Sequence, residues 1–148
     1  MPCVAVIASP VGALAPLGDC YKRLVYELAE AFNASPPVPA GSQSPIPASV
    51  IEKEPSAELR EGQTDADELP AYERLDPVLT GYIENGRGGS DLREEHDERV
   101  VDNALSRLTG AEFKRRQTPP PLRITQKALG RGWQYPVAAE YEHVTDGD

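Results

Sequence analysis

Apolar residues at the spacing of an α-helix place the strongest limit on what this chain can fold into. They recur every three or four residues and outline one face of a helix that runs to about Asn33: Tyr21, Leu24, Val25, Leu28, Ala29 and Phe32. Asp19 precedes this helix, and we expect its carboxylate to cap the helix N-terminus. No run of buried parallel strands accompanies the helical pattern, so the predicted structure is mainly helical.

Two more amphipathic helices are predicted in the second half of the chain. Asp76 is expected to cap the first, with Pro77 in its first position, and its inward-facing residues are Leu79, Tyr82 and Ile83. Asp97 starts the next helix and Gly110 ends it. The apolar face of that helix is formed by Val100, Val101, Ala104, Leu105 and Leu108.

Shorter elements and connectors separate these helices. We expect a short helix from Pro47 to about Lys53, one or two helical turns at 111–117, and a short strand at 122–125. The segments 35–45 and 85–90 are predicted to be loops, because they are rich in Gly, Pro and Ser or Asn.

The segment from Lys53 to Asp65 is mainly polar and fits neither a core strand nor an amphipathic helix. A long polar loop between ordered elements is a common place for ligand-binding groups. The alternative is a solvated connector without a ligand.

Charge is unevenly distributed along the chain. Its 148 residues carry a net charge of −9, yet six basic residues and one acid lie between Glu112 and Arg131. An acidic chain is a poor nucleic-acid binder, because neutralisation of phosphates dominates that affinity. The local excess of cations suits a small polyphosphate. The alternative is that these cations pair with the protein's own acids, and we expect this of Arg115 and Arg116.

Several classes of site and of protein are disfavoured by the sequence. Cys3 and Cys20 form no Cys-x-x-Cys pair, and the surroundings of His96 and His143 suggest no metal site. The apolar run at 4–17 contains two prolines and lacks a basic flank, which argues against a signal peptide or a membrane span. Tyr72, Tyr82 and Trp133 are expected to be packing residues. At this length we expect a single domain at most.

Six motifs in register make the chain similar to the glutamine-dependent NAD(+) synthetase family. The similarity covers about 12–136 and is carried by the following segments: Gly12-Ala13-Leu14-Ala15-Pro16-Leu17-Gly18-Asp19-Cys20-Tyr21-Lys22, Ile46 to Val50, Lys53 to Arg60 with the acidic loop after it, Tyr72 to Leu79, Lys114-Arg115-Arg116-Gln117, and Arg123-Ile124-Thr125 with Ala128-Leu129-Gly130. Ala13 and Cys20 depart from the family's usual Gly and Leu.

The resemblance implies an α/β fold, of which this chain is the mainly helical C-terminal part of a Rossmann-like adenine-nucleotide domain of the pyrophosphate-loop ATPase type. It implies ATP-dependent amidation of deamido-NAD with glutamine-derived ammonia, in the presence of Mg²⁺. By position in the motifs, Lys22 and Ser56 match ATP-contacting residues and Lys114 matches a deamido-NAD contact. A surface role for Lys22 and a turn role for Ser56 are the alternatives. The resemblance also implies a cytoplasmic enzyme that does not bind a membrane.

Two motifs of the NAD(+) synthetase family are absent from the 148 residues of this sequence. We find no Ser-Gly-Gly-x-Asp-Ser loop for the ATP pyrophosphate and no Asn-Lys-Ser-Glu segment with its metal-binding glutamate. Gly88-Gly89-Ser90-Asp91 copies only the centre of the first and follows no apolar strand, so we expect a connector there.

We therefore expect no catalytic residue and no metal ligand in this chain, and no turnover by it alone. The expected organisation is a divergent segment at 1–11, the synthetase part at 12–136 and an acidic tail at 137–148. Homo-oligomerisation or association with a full-length synthetase is expected. The alternative function is a non-catalytic module that docks on such a synthetase or on another partner.

Overall fold

A computed structural model describes residues 14–36, 45–53, 69–127 and 132–137. Six helices lie in these ranges: α1 Lys22–Ala34, α2 Ala48–Ile51, α3 Tyr72–Ile83, α4 Gly89–Glu95, α5 Glu98–Gly110 and α6 Glu112–Arg116. The described ranges contain no strand, and their one isolated bridge is parallel and joins Ala15 to Pro121. The prediction of a mainly helical structure is confirmed for this part of the chain.

The core lies where α3, α4 and α5 meet. It is formed by ten buried side chains: Leu75, Val78, Leu79, Ile83, Leu92, Val100, Val101, Ala104, Leu105 and Leu108. The side chain of Asp97 accepts a hydrogen bond from the backbone N–H of Arg99 at 2.9 Å and so caps α5. The start, the end and the buried face of α5 are all as the sequence predicts.

The prediction that Asp76 caps α3 is wrong. Helix α3 begins at Tyr72, and Pro77 lies inside it. An interior proline removes one helical hydrogen bond, so the turn before it needs support from packing. Leu75 supplies that support, since it is 3% exposed in the core. Asp76 is buried as well, and its Oδ2 accepts a hydrogen bond from the backbone N–H of Arg23, 3.0 Å away in α1.

The connector predicted at 85–90 is partly a helix. Helix α4 begins at Gly89, and the carboxylate of Asp91 accepts a hydrogen bond from the backbone N–H of Gly88 at 3.3 Å. Leu92 is fully buried and fixes this short helix to the core. The Gly-Gly-Ser-Asp sequence therefore forms a helix start. The strand predicted at 122–125 is also wrong, because these residues form no ladder.

Helix α1 forms as predicted, but the described residues bury its apolar face only in part. Leu24, Val25 and Ala29 are half-buried, whereas Leu28 and Phe32 are 45% and 37% exposed. The core formed by α3, α4 and α5 is complete without it. No helix in the described ranges is both long and apolar enough to cross a membrane.

Candidate functional site

Asp19 joins the loop before α1 to the segment after α6. It is fully buried, and its Oδ2 accepts hydrogen bonds from the backbone N–H groups of Ile124 at 2.8 Å and Thr125 at 2.7 Å. The hydroxyl of Thr125 donates to the same carboxylate at 2.9 Å. The prediction that Asp19 caps α1 is wrong, because the N-cap residue of α1 is Tyr21 and no side chain caps the helix. The Asp19 carboxylate instead bonds to a segment 105 residues away in sequence.

Backbone contacts extend the same junction. The N–H of Ala15 donates to the carbonyl of Pro120 at 3.0 Å. A Cβ added to Gly18 would lie 3.0 Å from the Cβ of Pro121, so a side chain at this position would push the two segments apart. The segment 15–19, just before Lys22, is thus anchored to the segment 120–125, which follows Lys114 by a few residues.

Lys22 is the first residue of α1 and is half-buried. Its Nζ lies 5.9 Å from the centroid of the Tyr72 ring, a cation–π distance. Because Asp76 bonds to Arg23 in the first turn of α1, a carboxylate already lies at the positive end of this helix. Burial raises the pKa of Asp76, although the hydrogen bond and the charge of Arg23 oppose this shift. Any phosphate contact by Lys22 therefore depends on its ammonium group more than on the helix N-terminus.

Lys114 lies in the middle of α6 and is half-buried. Its Nζ is 5.7 Å from the centroid of the neighbouring Phe113 ring, which is 46% exposed. Ser56, the third residue that the family motifs single out, lies outside the described residues. The structure thus places two of the three on separate helices, α1 and α6.

Arg115 and Arg116 form ion pairs, as predicted. Both bond to the carboxylate of Glu112, one turn earlier in α6, and the Arg116 Nε to Glu112 Oε1 distance is 3.1 Å. Burial raises the pKa of Glu112, but hydrogen bonds from Arg115 and then Arg116 outweigh it and hold this pKa below its ordinary value. The carboxylate therefore stays ionised between the two guanidinium groups.

An aromatic cluster covers this ion pair. The Trp133 ring meets the rings of Tyr82 and Tyr135 edge to face, with centroids 6.0 and 4.7 Å apart. Tyr82 and Tyr135 share a hydrogen bond between their hydroxyls at 2.6 Å. The expected packing role is confirmed for Tyr72, Tyr82 and Trp133, which lie against the core. Sequence reasoning missed that Trp133 also lies over the guanidinium of Arg115, because nothing in the spacing of two residues 18 positions apart signals it.

A cavity of about 430 Å³ opens beside α6 and is lined by Arg115, Arg116, Thr118, Pro119, Pro120, Pro121 and Gln134. Neither Lys22 nor Lys114 lines it. The described ranges contain no cluster of three or more His, Cys, Asp or Glu side chains that could hold a metal ion.

Comparison with known proteins agrees with the motifs. The family model of NAD synthase matches residues 10–118. The chain belongs to this family. Glutamine-dependent NAD(+) synthetases of Xylella fastidiosa and Acinetobacter baylyi are 40% identical over 131 residues and 41% identical over 128 residues. That of Aquifex aeolicus is 38% identical over 131 residues.

These alignments cover only part of each relative. They include 88%, 86% and 88% of this chain but 23%, 23% and 22% of the respective relatives, so the chain spans less than a quarter of their length. A solved structure of the glutamine-dependent NAD+ synthetase from Acinetobacter baumannii in complex with ADP is 32% identical. It matches 81% of this chain and 19% of its own, with a TM-score of 0.45.

Proposed function

We propose that this chain carries part of the substrate-binding surface of an NAD synthetase domain, the activity of which is ATP-dependent amidation of deamido-NAD with glutamine-derived ammonia. The observation that carries the proposal is the family match over 10–118, which includes both the Lys22 and the Lys114 motifs. The junction at Asp19 supports it, because it holds those two motifs on one body.

Each proposed contact residue has one chemical role. The ammonium of Lys22 binds a phosphate of ATP, and the hydroxyl of Ser56 donates a hydrogen bond to another phosphate oxygen. The ammonium of Lys114 binds an anionic group of deamido-NAD. In the reaction, an oxygen of the nicotinate carboxylate attacks the α-phosphorus of ATP, and pyrophosphate leaves. Ammonia then attacks the carbonyl carbon of the acyl-adenylate, displaces AMP and loses a proton to give the amide. Positioned cations stabilise the charge that develops on the phosphates.

The three buried carboxylates of the described ranges do not suit a magnesium site. Asp19 and Asp76 accept hydrogen bonds from backbone N–H groups, and Glu112 is shared by two arginines. No described group of three potential ligands converges on a point. We therefore derive no step through Mg²⁺ from these residues.

We also propose that the chain consists of a synthetase part and two flanking segments. Residues 12–136 belong to the C-terminal part of a Rossmann-like synthetase domain, flanked by a divergent segment at 1–11 and an acidic tail at 137–148. The protein acts in the cytoplasm, either as a homo-oligomer or in association with a full-length synthetase.

Turnover tests this proposal. The 148-residue chain contains neither the Ser-Gly-Gly-x-Asp-Ser nor the Asn-Lys-Ser-Glu segment, so we expect it to form no NAD from deamido-NAD, ATP, Mg²⁺ and ammonia by itself. A chimera that joins it to the preceding part of a relative's synthetase domain should form NAD. A chimera that folds but stays inactive, beside an active parent enzyme, would refute the proposal.

A further inference from the structure

The cavity beside α6 has an arginine with unmet hydrogen-bonding capacity in its wall. The side chain of Arg115 is only 4% exposed, and its Nη2 donates to Glu112. Its other two nitrogens, Nε and Nη1, are buried without a hydrogen-bond partner. A buried donor without an acceptor is energetically unfavourable, so this arrangement favours any ligand that brings an acceptor.

The ring of Trp133 does not supply the hydrogen-bond acceptor that Nε and Nη1 of Arg115 lack. The Cζ atom of Arg115 lies over the Trp133 ring, 4.7 Å from its centroid. The N–H bonds of a guanidinium lie in its plane and point away from its faces. Contact with the ring stabilises the positive charge but supplies no acceptor at the edge of the group.

The charges at the cavity wall do not cancel. One carboxylate, that of Glu112, serves two guanidinium groups, so Arg115, Arg116 and Glu112 together keep one positive charge. The remaining lining residues are uncharged: Thr118, Pro119, Pro120, Pro121 and Gln134. The hydroxyl of Thr118 donates to the carbonyl of Arg115 at 2.6 Å and does not offset the charge.

We propose that this cavity binds an oxyanion, a phosphate or a carboxylate group, against Arg115 and Arg116. Guanidinium groups match both through paired, charge-assisted hydrogen bonds. A volume of about 430 Å³ holds such a group together with a small molecule attached to it. The site is separate from the proposed ATP and deamido-NAD contacts, and its test uses neither substrate.

Trp133 reports on this site, because it is the only tryptophan of the chain and touches Arg115. Its fluorescence is followed while sodium phosphate, and separately sodium acetate, is added to the full 148-residue chain at constant ionic strength set with chloride. We expect a saturable change with at least one of the two anions. The one that saturates at the lower concentration identifies the chemistry of the site.

Matched variants separate the cavity from general surface charge. Arg116→Gln, with a side chain 43% exposed, should weaken binding on the order of tenfold. Arg99→Gln removes the same charge from an exposed position on α5 and should leave binding unchanged. Circular dichroism establishes that each variant is folded.

A second pair keeps the test decisive if Arg116→Gln does not fold. Gln134→Glu brings a negative charge to an exposed lining residue and should also weaken binding, whereas Gln126→Glu makes the same change on the surface elsewhere. The absence of a saturable response to both anions in the unmodified chain would overturn the proposal. Equal weakening by Gln134→Glu and Gln126→Glu would overturn it as well.

Discussion

At the scale of single residues, Asp19 joins the loop before α1 to the segment after α6. It is fully buried and accepts hydrogen bonds from two backbone N–H groups and a hydroxyl across more than 100 residues of sequence. We expect Asp19→Ala to lower the free energy of unfolding by about 3 kcal/mol, because hydrogen bonds to charged groups contribute about 1.5–3 kcal/mol each and the donors would remain buried. Urea denaturation measures this loss.

A surface acid provides the control for Asp19. Glu27 pairs with Arg23 on the exposed side of α1, with Glu27 Oε1 at 3.1 Å from Arg23 Nε. Glu27→Ala should cost no more than about 0.5 kcal/mol, because exposed pairs four residues apart contribute little. Similar losses from Asp19→Ala and Glu27→Ala would show that the junction is not important for stability.

Glu112 makes stability depend on pH in a known direction. Its pKa in the folded protein lies below the ordinary value of 4.5, so its contribution is present above pH 4.5 and is lost as the pH falls through the lowered pKa. Asp76 acts in the opposite sense, because its raised pKa means that its ionised form destabilises the fold until acid protonates it.

We expect Glu112→Gln to lower the free energy of unfolding at pH 7 and to flatten the decline of that free energy in acid. Thermal unfolding between pH 7 and 3 measures both effects. An unchanged acid slope would contradict the assignment.

At the scale of helices, close packing of α3 on α4 outweighs helix propensity. A Cβ added at Gly81 in α3 would lie 2.7 Å from Cδ2 of Leu92, a fully buried side chain in α4. Although alanine is the better helix former by about 1 kcal/mol, Gly81→Ala should destabilise by about 1–3 kcal/mol through overpacking. A melting temperature shows the sign directly.

Gly110 is the matched control for that substitution. It lies near the end of α5, and an added Cβ would meet no atom within 4 Å. Gly110→Ala should therefore be neutral or stabilise by up to about 1 kcal/mol. If Gly81→Ala stabilised the protein as much as Gly110→Ala, the contact between α3 and α4 would be looser than the structure describes.

The helices also show that local features could be predicted from the sequence and that contacts between distant residues could not. The cap and apolar face of α5 are local patterns, and both were predictable. The cap predicted for α3 failed because the Asp76-Pro77 pair has the local pattern of a helix start, whereas distant packing of Leu75 decides where α3 begins. The prediction that Asp19 caps α1 was wrong for the same reason, since its hydrogen-bond partners lie 105 residues away in sequence. The ion pairs of Arg115 and Arg116 were predictable because their partner is one turn away, but the contact with Trp133 was not.

At the scale of the whole molecule, the described part combines a small buried core with a helix face that is covered only in part. The core joins α3, α4 and α5, while Leu28 and Phe32 of α1 stay 45% and 37% exposed. Exposed apolar surface favours association. Family membership rests on the match over 10–118.

The most direct test of the proposed substrate contacts is the steady-state kinetics of lysine variants in the active chimera. We expect Lys114→Ala to lower kcat/KM for deamido-NAD on the order of 10- to 100-fold, because a charge-assisted hydrogen bond contributes about 1.5–3 kcal/mol. Lys22→Ala should act chiefly on ATP, and His96→Ala, at the end of α4, should change neither. Unchanged kinetics for both substrates in Lys114→Ala and Lys22→Ala, with the melting temperature preserved, would contradict the proposal that these lysines bind deamido-NAD and ATP.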